Sequence, residues 1–519
     1  MRLRSWLTAR RQRSSRARRT PGRVSVVIPC YDVAEYLDEA LTSVRRQSHR
    51  DLQIIVVDDG STDATVALAQ RHAAADPRVR VLEQAHAGQG AARNRALAVA
   101  DGEYLTFMDA DDVVPKHAYA TMVRALAGSG SDFCLGHVRR FDRSGTWTSA
   151  WASETHATAC TGTTIDERPV AIKDIIACNR MYRRSFWDDA VGTFPEGTVY
   201  EDHVPMLRSF LHGARFDVLT EVTYRWRARE DGTSTGQQKA QLSNLEARVQ
   251  VKRDAWAMLQ AEGSPAIRSA WLGRVLDVDL PAFYGPALDS DPAYRNLLQR
   301  TVAHYLGLAD EAALTLVRAH MGVAGWLVAQ GRWTDVATVR ELTAPGGPAR
   351  DGVIAGGEVL LDVARLPVDL TGLPSPALLR LTAHQSRATA AVHRVETSDD
   401  AVRIVGLVRQ HGVAPGEPLH LEVHAVAGSQ VEAVPATDVA AEPPPGAFGF
   451  AATVPWPTAG QVQPLALQVR SGSLVRTARL GRTTGGRAPD AGWTHRLPDG
   501  RAGEVRRLPD GLAVTTITS

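Results

Sequence analysis

Three carboxylates within four residues, Asp109, Asp111 and Asp112, close the stretch "YLTFMDADDVV" at 104–114. Like charges this close repel, so a chain that collects them at the tip of an apolar run calls for a compensating charge. Two carboxylates one residue apart at a strand end can converge on one hard divalent cation, which takes oxygen ligands and keeps water or substrate phosphate in the rest of its shell. The plainer reading is a solvated acidic turn capping the next helix, whose N-terminus favours negative charge. A second pair, Asp58-Asp59, stands in "VVDDGSTD" (56–63), where Asp, Ser and Thr serve equally as turn and cap residues. "GQGAARN" (88–94) places glycines before a helix whose start can accept a phosphate. A lone Gly-x-Gly is a weak signal, and no Gly-x4-Gly-Lys-Ser/Thr loop is present. In "FPEGTVYEDHV" (194–204), Glu201-Asp202 offers a general base or simply an acidic helix start.

The elements that must position these groups are legible around them. "VSVVIP" (24–29) is a continuous β-branched run, the pattern of a strand buried on both faces. "VAEYLDEALTSVRRQ" (33–47) has apolar residues at helical spacing, "DLQIIVVDD" reads as the next strand, and "STDATVALAQRHAA" as a helix capped by Ser or Thr. "RVRVLEQ" and "EYLTFMDADD" are further strands, with "GAARNRALAVA" a helix between them and "PKHAYATMVRALAGSG" a helix starting at Pro115. Strand–helix alternation of this kind predicts a parallel sheet covered by helices, with ligands bound beyond the carboxyl ends of the strands. Pro29-Cys30-Tyr31, Asp58-Asp59 and Asp109–Asp112 all fall at such ends.

Composition bounds the rest. The chain has 519 residues, 44% hydrophobic and 22% charged, as expected of a globular protein of about three domains. The first 24 residues hold nine arginines and no acid, so the net +2 of the chain becomes −7 once they are set aside. A basic arm beside a mildly acidic body suggests an anionic partner surface, or a solvated arm without a role. Nucleic acid is disfavoured, since no aromatic residues interleave beyond Trp6. The arm lacks the apolar core of a secretory signal, and no stretch approaches the roughly 20 apolar residues of a spanning helix. Cys30, Cys134, Cys160 and Cys178 have no metal-ligand spacing and read as reduced thiols of a cytoplasmic protein.

In order, "VSVVIPCYDVAEYLDEALTSVRRQSHRDLQIIVVDDGSTDAT", "GQGAARNRALAVADGEYLTFMDADD", "NRMYRRSFWDDAVGTFPEGTVYEDHV" and "TYRWRARE" resemble the family-2 glycosyltransferases. These are inverting, nucleotide-sugar-dependent enzymes of the GT-A fold. The likeness covers about residues 23–235. It implies an α/β, Rossmann-like nucleotide-diphospho-sugar transferase domain. It also implies roles. Pro29 and Tyr31 would line the base pocket, and Asp59, beside Asp58, would hydrogen-bond the base. Arg93 and Asn94 would lie near the sugar diphosphate. Asp109 and Asp111 match the Asp-x-Asp pair that holds Mn²⁺ or Mg²⁺, with Asp111 the direct ligand and Asp112 a supporting or capping acid. Asp202 matches the catalytic base, next to Glu201. Trp226, Arg227 and Arg229 match a late aromatic-basic motif that closes over diphosphate or acceptor. Cys30-Tyr31-Asp32 departs from the commoner Tyr-Asn pair at the base pocket.

The resemblance points further to the branch that builds or decorates bacterial cell-surface polymers. It implies a nucleotide-sugar donor, a UDP-sugar first, and a glycan, lipid-linked or polyol-phosphate polymer acceptor. The expected organisation is a basic disordered tail (1–22), the GT-A domain (23–235), a helical region (236–345), a linker (346–376), a β-sandwich (377–485) and a hairpin-like tail (486–519). Period-two alternation in "RIVGLVRQ", "LHLEVHAVA" and "FGFAATVPW" carries the sandwich. That module would bind acceptor or assemble a homo-oligomer, or act as a spacer. A cytoplasmic protein in peripheral contact with the anionic inner membrane face fits the tail. A non-catalytic glycan- or polymer-binding protein on the same fold, a nucleotidyltransferase and a two-carboxylate hydrolase are the competing classes.

Overall fold

The computed structural model describes residues 19–213, 215–230, 238–413, 420–424, 429–441, 443–444, 447–458, 462–471, 474–481, 493–499, 501–508 and 511–517. The arginine-rich stretch before Arg19 lies outside them. The chain divides into two compact units, residues 1–301 and 302–519.

The first unit is built on a nine-stranded sheet: β1 (Thr20–Cys30), β2 (Leu52–Asp58), β3 (Val79–Glu83), β4 (Gly102–Phe107), β5 (Phe133–Asp142), β6 (Gly145–Trp147), β7 (Cys160–Thr163), β8 (Arg180–Arg183) and β9 (Phe216–Arg227). Their order is β3-β2-β1-β4-β8-β5-β9-β7, with β6 beside β5. β1 pairs parallel with both β2 and β4, and β2 pairs parallel with β3. The apolar run is buried throughout: Val24, Val26, Val27 and Ile28 have no exposure. Helices α1 (Ala34–Arg45), α2 (Thr65–Ala75), α3 (Gln89–Leu97) and α4 (Ala118–Ser129) connect or follow these strands. The carboxyl ends of β1, β2 and β4 therefore share one edge.

Two local expectations are corrected. α2 has Ala64 at its N-cap and no Ser or Thr side-chain cap; the Asp63 carboxylate just before it accepts from Thr65 N at 2.9 Å. The last of these helices begins at Ala118 and not at Pro115, because the residues before it are held otherwise: Val113 bridges to Arg225, Ser48 N donates to the Lys116 carbonyl, and Ala118 N closes a turn on the Pro115 carbonyl. The sheet is also mixed beyond β4. β8 runs antiparallel to β4 and β5, and β9 returns parallel to β5. After β5 the chain leaves the strand–helix–strand pattern through β6, β7 and short helical segments, so β8 enters the sheet between β4 and β5 in the opposite direction.

Helix α5 (His203–His212) packs next to this sheet, and α6 (Leu242–Glu262) follows it. No helix of the described residues is long and apolar enough to cross a membrane. The second unit starts with helices up to Leu342, then a small hairpin, 352–355 with 358–361. It continues as a seven-stranded and a four-stranded sheet. Val392, Ile404, Val408, Phe450, Leu467 and Leu480 form one apolar core there. Of the repeated "RLPDG" turns, residues 500, 509 and 510 lie outside the described residues; Arg496 pairs with Ala502, and Leu508 with Gly511.

Candidate functional site

The carboxyl ends of β1 and β2 are tied by short polar bonds. Asp32, at a positive φ of 46°, accepts from Thr62 N at 2.7 Å, and Asp32 N donates to Ser61 Oγ. Asp58 is buried and accepts from Gly60 N, Ser61 N and Ser61 Oγ, so it shapes its own turn. Asp59 accepts from Gly88 N at 2.8 Å, Ala87 N at 2.9 Å and Gln84 Nε2 at 2.8 Å, which fixes the approach to α3. Pro29 is buried in β1. Tyr31 is 43% exposed, and its ring lies 4.3 Å from that of His86. Sequence reading missed His86, which has no motif around it.

Arg93 is the hub. Its guanidinium pairs with Asp109 at 2.8 Å and with Glu201, and it lies 5.3 Å from the Phe194 ring. Being 3% exposed, it serves as a buried bridge between the loop after β4 and the turn before α5. Asn94 clamps the same turn's approach: it accepts from Phe194 N and donates to the Phe194 carbonyl, both at 2.9 Å, and to Glu196. A side chain at Gly90 would overlap the Pro195 carbonyl, so only glycine lets α3 come this near.

The acid loop is laced to the end of β9. Asp112 is 1% exposed and accepts from Tyr224 Oη at 2.5 Å and Arg227 N at 2.7 Å. Tyr224 Oη in turn accepts from Asp109 N at 3.2 Å. Arg229 Nε meets Asp111 Oδ2 at 2.6 Å, and Arg227 Nε the Asp111 carbonyl at 2.6 Å. Arg227 also reaches Glu39, while Trp226 lies under the Arg140 guanidinium at 4.4 Å. Burial pushes the Asp111 carboxyl up, with Asp109 adding to it and Arg229 opposing. Asp112 is raised well above the carboxylate range by burial and by Asp111 and Asp109. Burial and the mutual repulsion of the acids thus outweigh the opposing charge of Arg229 at Asp111. Among the described residues no three His, Cys, Asp or Glu side chains close on a common point.

Asp202 is of another kind. It stands at the start of α5, half-buried, and its carboxylate accepts no hydrogen bond from the described residues. Burial pushes it up to about 7, with the neighbouring Glu201 adding and Arg93 opposing. The turn that presents it is strained: Tyr200 has φ 65°. Tyr200 Oη donates to Asn244 at 2.6 Å, and its ring sits 3.6 Å from the Arg248 guanidinium. Arg248 also faces His203 Nε2 at 2.9 Å, and Lys252 faces His203 Nδ1 at 3.1 Å. Lys252, Arg274 and Arg248 all lie near the buried Asp279. These supporting residues on α6 were not anticipated, because nothing in "LSNLEARVQVKRD" marks them beyond helical spacing.

Residues 25–189 match the family model described as Glycosyl transferase family 2. They form a family-2 glycosyltransferase domain. Glycosyltransferase GlyG of Streptococcus pneumoniae is 36% identical over 122 residues, 23% of this chain and 40% of that protein. The poly(ribitol-phosphate) beta-glucosyltransferase of Bacillus spizizenii is 26% identical over 215 residues, 40% of this chain and 33% of that protein. The chain spans less than half the length of these curated relatives. The crystal structure of Staphylococcus aureus TarS superposes with a TM-score of 0.53 at 16% identity, covering 95% of this chain and 85% of that one. The glycosyltransferase domain shares its mixed α/β GT-A fold, and β-sheets follow it in this chain.

Proposed function

We propose that the protein is an inverting glycosyltransferase that moves a sugar from a nucleoside-diphosphate donor to a hydroxyl of a cell-surface polymer or lipid-linked glycan. One observation carries the reading: Arg93 ion-pairs at once with the acid loop and with the Glu201-Asp202 turn, so the candidate base stands over the same edge as Asp109 and Asp111. A family-2 match and relatives that act on poly(ribitol-phosphate) support the reaction class and a polyol-phosphate acceptor.

In this reading Tyr31, with His86, flanks the base, and Asp59 fixes the wall behind it. The all-oxygen set of Asp111 and Asp109 suits a hard divalent cation, Mn²⁺ or Mg²⁺, and their mutual repulsion is what a cation relieves. With at most two carboxylates from the chain, water and donor phosphate complete its shell. Such an ion supplies charge neutralisation for a diphosphate leaving group. Asp202 takes the proton from the acceptor hydroxyl as that oxygen bonds to the anomeric carbon from the face opposite the diphosphate. The carbon–oxygen bond to the nucleoside diphosphate breaks, and configuration inverts. An ionised Asp202 is required, and a carboxyl near 7 is matched to a base working at neutral pH. Arg227 and Arg229 stand where they can turn from Asp111 to the diphosphate. We place a UDP-sugar first among donors, oligomer formation with the C-terminal β module, and membrane contact with the arginine-rich segment.

Calorimetric titration with UDP-, GDP- and CDP-sugars, with and without Mn²⁺, tests the reading. Metal-dependent binding of one donor is expected. Absence of binding by all of them sinks the catalytic reading and favours a non-catalytic polymer-binding role.

A further inference from the structure

The sheet edge remote from the acids carries unmatched positive charge. α1 runs back from the acid-bearing edge, so its last turn and the link to β2 bring Arg45, Arg46 and Arg50 to the edge where the strands begin. The carboxylates nearby are spoken for. Asp51 pairs with Arg23 at 2.9 Å, Asp101 with Arg23 at 3.2 Å, and Asp76 with Arg45 and Arg78 at 3.1 and 2.8 Å. Arg46, Arg50 and Lys116 are exposed, and their side chains have no carboxylate partner among the described residues. With Arg45, Ser43 and Val114 they line an open cleft of about 540 Å³.

The cations are held together by the backbone beneath them. Gln47 is fully buried, and its amide donates to the Val114 and Pro115 carbonyls at 3.2 and 2.8 Å. Ser48 N donates to the Lys116 carbonyl at 2.9 Å. The link carrying Arg46 and Arg50 is thus fixed against the segment carrying Lys116, although their charges repel. Like charges pinned together without an acid are stabilised when an anion joins them. β1 enters the fold at this same edge, where Thr20 N donates to the Asp101 carbonyl. The 18 residues before Arg19 add seven arginines and no acid to the sequence at that point.

We propose that this cleft is a docking surface for an anionic lipid bilayer, with lipid phosphates seated among Arg46, Arg50 and Lys116. A bilayer is favoured over a single polyanion chain because a planar array of phosphates can engage the fixed cleft together with the arginines that precede Arg19 in the sequence. The acid-bearing edge then faces away from the lipid, towards the water from which a nucleotide sugar arrives. The inference does not depend on the chemistry at Asp202.

Flotation of the full chain with vesicles of equal parts phosphatidylglycerol and phosphatidylcholine, against phosphatidylcholine alone, is the test. Each basic residue near an anionic surface is worth about a fivefold change in partition. The combined Arg46→Gln, Arg50→Gln and Lys116→Gln variant should therefore partition about 100-fold less onto the anionic vesicles. A control variant removes equal charge at three exposed arginines outside the cleft: Arg95→Gln, Arg124→Gln and Arg139→Gln. It should keep most of the binding. Wild-type protein that prefers neither vesicle overturns the proposal, and so does equal loss in the two variants. Release by inorganic phosphate beyond that caused by chloride of matched ionic strength assigns the cleft to a discrete soluble phosphate and also overturns it.

Discussion

The loop at Asp109–Asp112 and the turn at Tyr200–His203 hold their carboxylates in opposite ways. In the loop every acid is engaged: Asp109 by Arg93, Asp111 by Arg229, Asp112 by Tyr224 and the Arg227 amide. In the turn, Glu201 is paired with Arg93, while the Asp202 carboxylate accepts no hydrogen bond from the described residues. The difference separates two uses of one side-chain type. An engaged carboxylate gives up its lone pairs to fix geometry, or waits for a stronger partner such as a metal ion. A half-buried carboxylate left without donors stays a poor anion and therefore a useful base.

Removing the unengaged acid should have the largest kinetic effect. Asp202→Asn keeps size and burial but cannot take a proton, and general-base assistance is worth about 10²–10⁴-fold. We expect kcat to fall by that factor with donor affinity unchanged in calorimetry. A variant turning over at the wild-type rate would move the base elsewhere, Glu201 being the next to test.

The bridge between the regions is next. Arg93→Met leaves Glu201 buried without its cation, and removing one partner of a buried pair costs about 3–5 kcal/mol. Urea unfolding of the domain's transition should show that loss, along with reduced kcat as the turn is freed from the loop. A loss below about 1 kcal/mol would mean that the contact behaves as a surface pair and does not join the two regions.

On the loop side, Asp111→Asn asks whether engagement by Arg229 is the acid's whole role. Losing a group that merely orients a metal ligand costs about 10–100-fold in metal affinity, so losing a direct ligand should cost at least that. The Mn²⁺-dependent part of donor binding should disappear. If it survives Asp111→Asn but is lost in Asp109→Asn, the ligand assignment within the pair is reversed.

A pH series sharpens the same contrast. Asp202 is raised to about 7, so it is protonated and inactive as a base below that value. The quantity kcat/KM should rise with pH through about 7 and then level, the limb belonging to the Glu201–Asp202 pair as a unit. The stability sign is opposite. A carboxyl whose folded value lies above its unfolded value stabilises the fold only while protonated, so this contribution is lost as pH climbs from the ordinary carboxylate range towards 7. Asp202→Asn should flatten both slopes, and a melting temperature that still falls over that range in the variant would assign the slope to another group.

How much of this was legible beforehand follows from how local each signal is. β1, β2 and β4 are largely buried, so β1 and β2 read as β-branched runs and β4 as a mainly apolar one, and the ends of β2 and β4 marked Asp58-Asp59 and Asp109–Asp112 directly. The partners of those acids were out of reach: Glu201 lies 108 residues from Arg93 and Tyr224 lies 112 from Asp112. Such pairs are set by sheet order, and the order beyond β4 departs from the parallel pattern that the first half suggests. Arg248 and Lys252 were hidden for a related reason. On a helix, a buried cation that supports a turn has the same spacing as one that snorkels to water.

The smallest effect tests the region where neither kind of carboxylate touches the ligand directly. Asp58 and Asp59 are already spent on backbone amides, so the exposed Tyr31 face beside His86 is the part of the β1 and β2 ends left to meet a base. Aromatic stacking is worth about 1 kcal/mol beyond area burial, or about fivefold in affinity. Tyr31→Ala should weaken UDP, GDP and CDP binding by similar factors of that size, because a ring face does not read base edges. The value of kcat should stay near wild type, since no hydrogen bond, ion pair or ring contact among the described residues joins Tyr31 to the Asp202 turn. Equal affinity in variant and wild type would place the base away from this wall and leave Asp59, once released from the Gly88 amide by the arriving donor, as the group to examine.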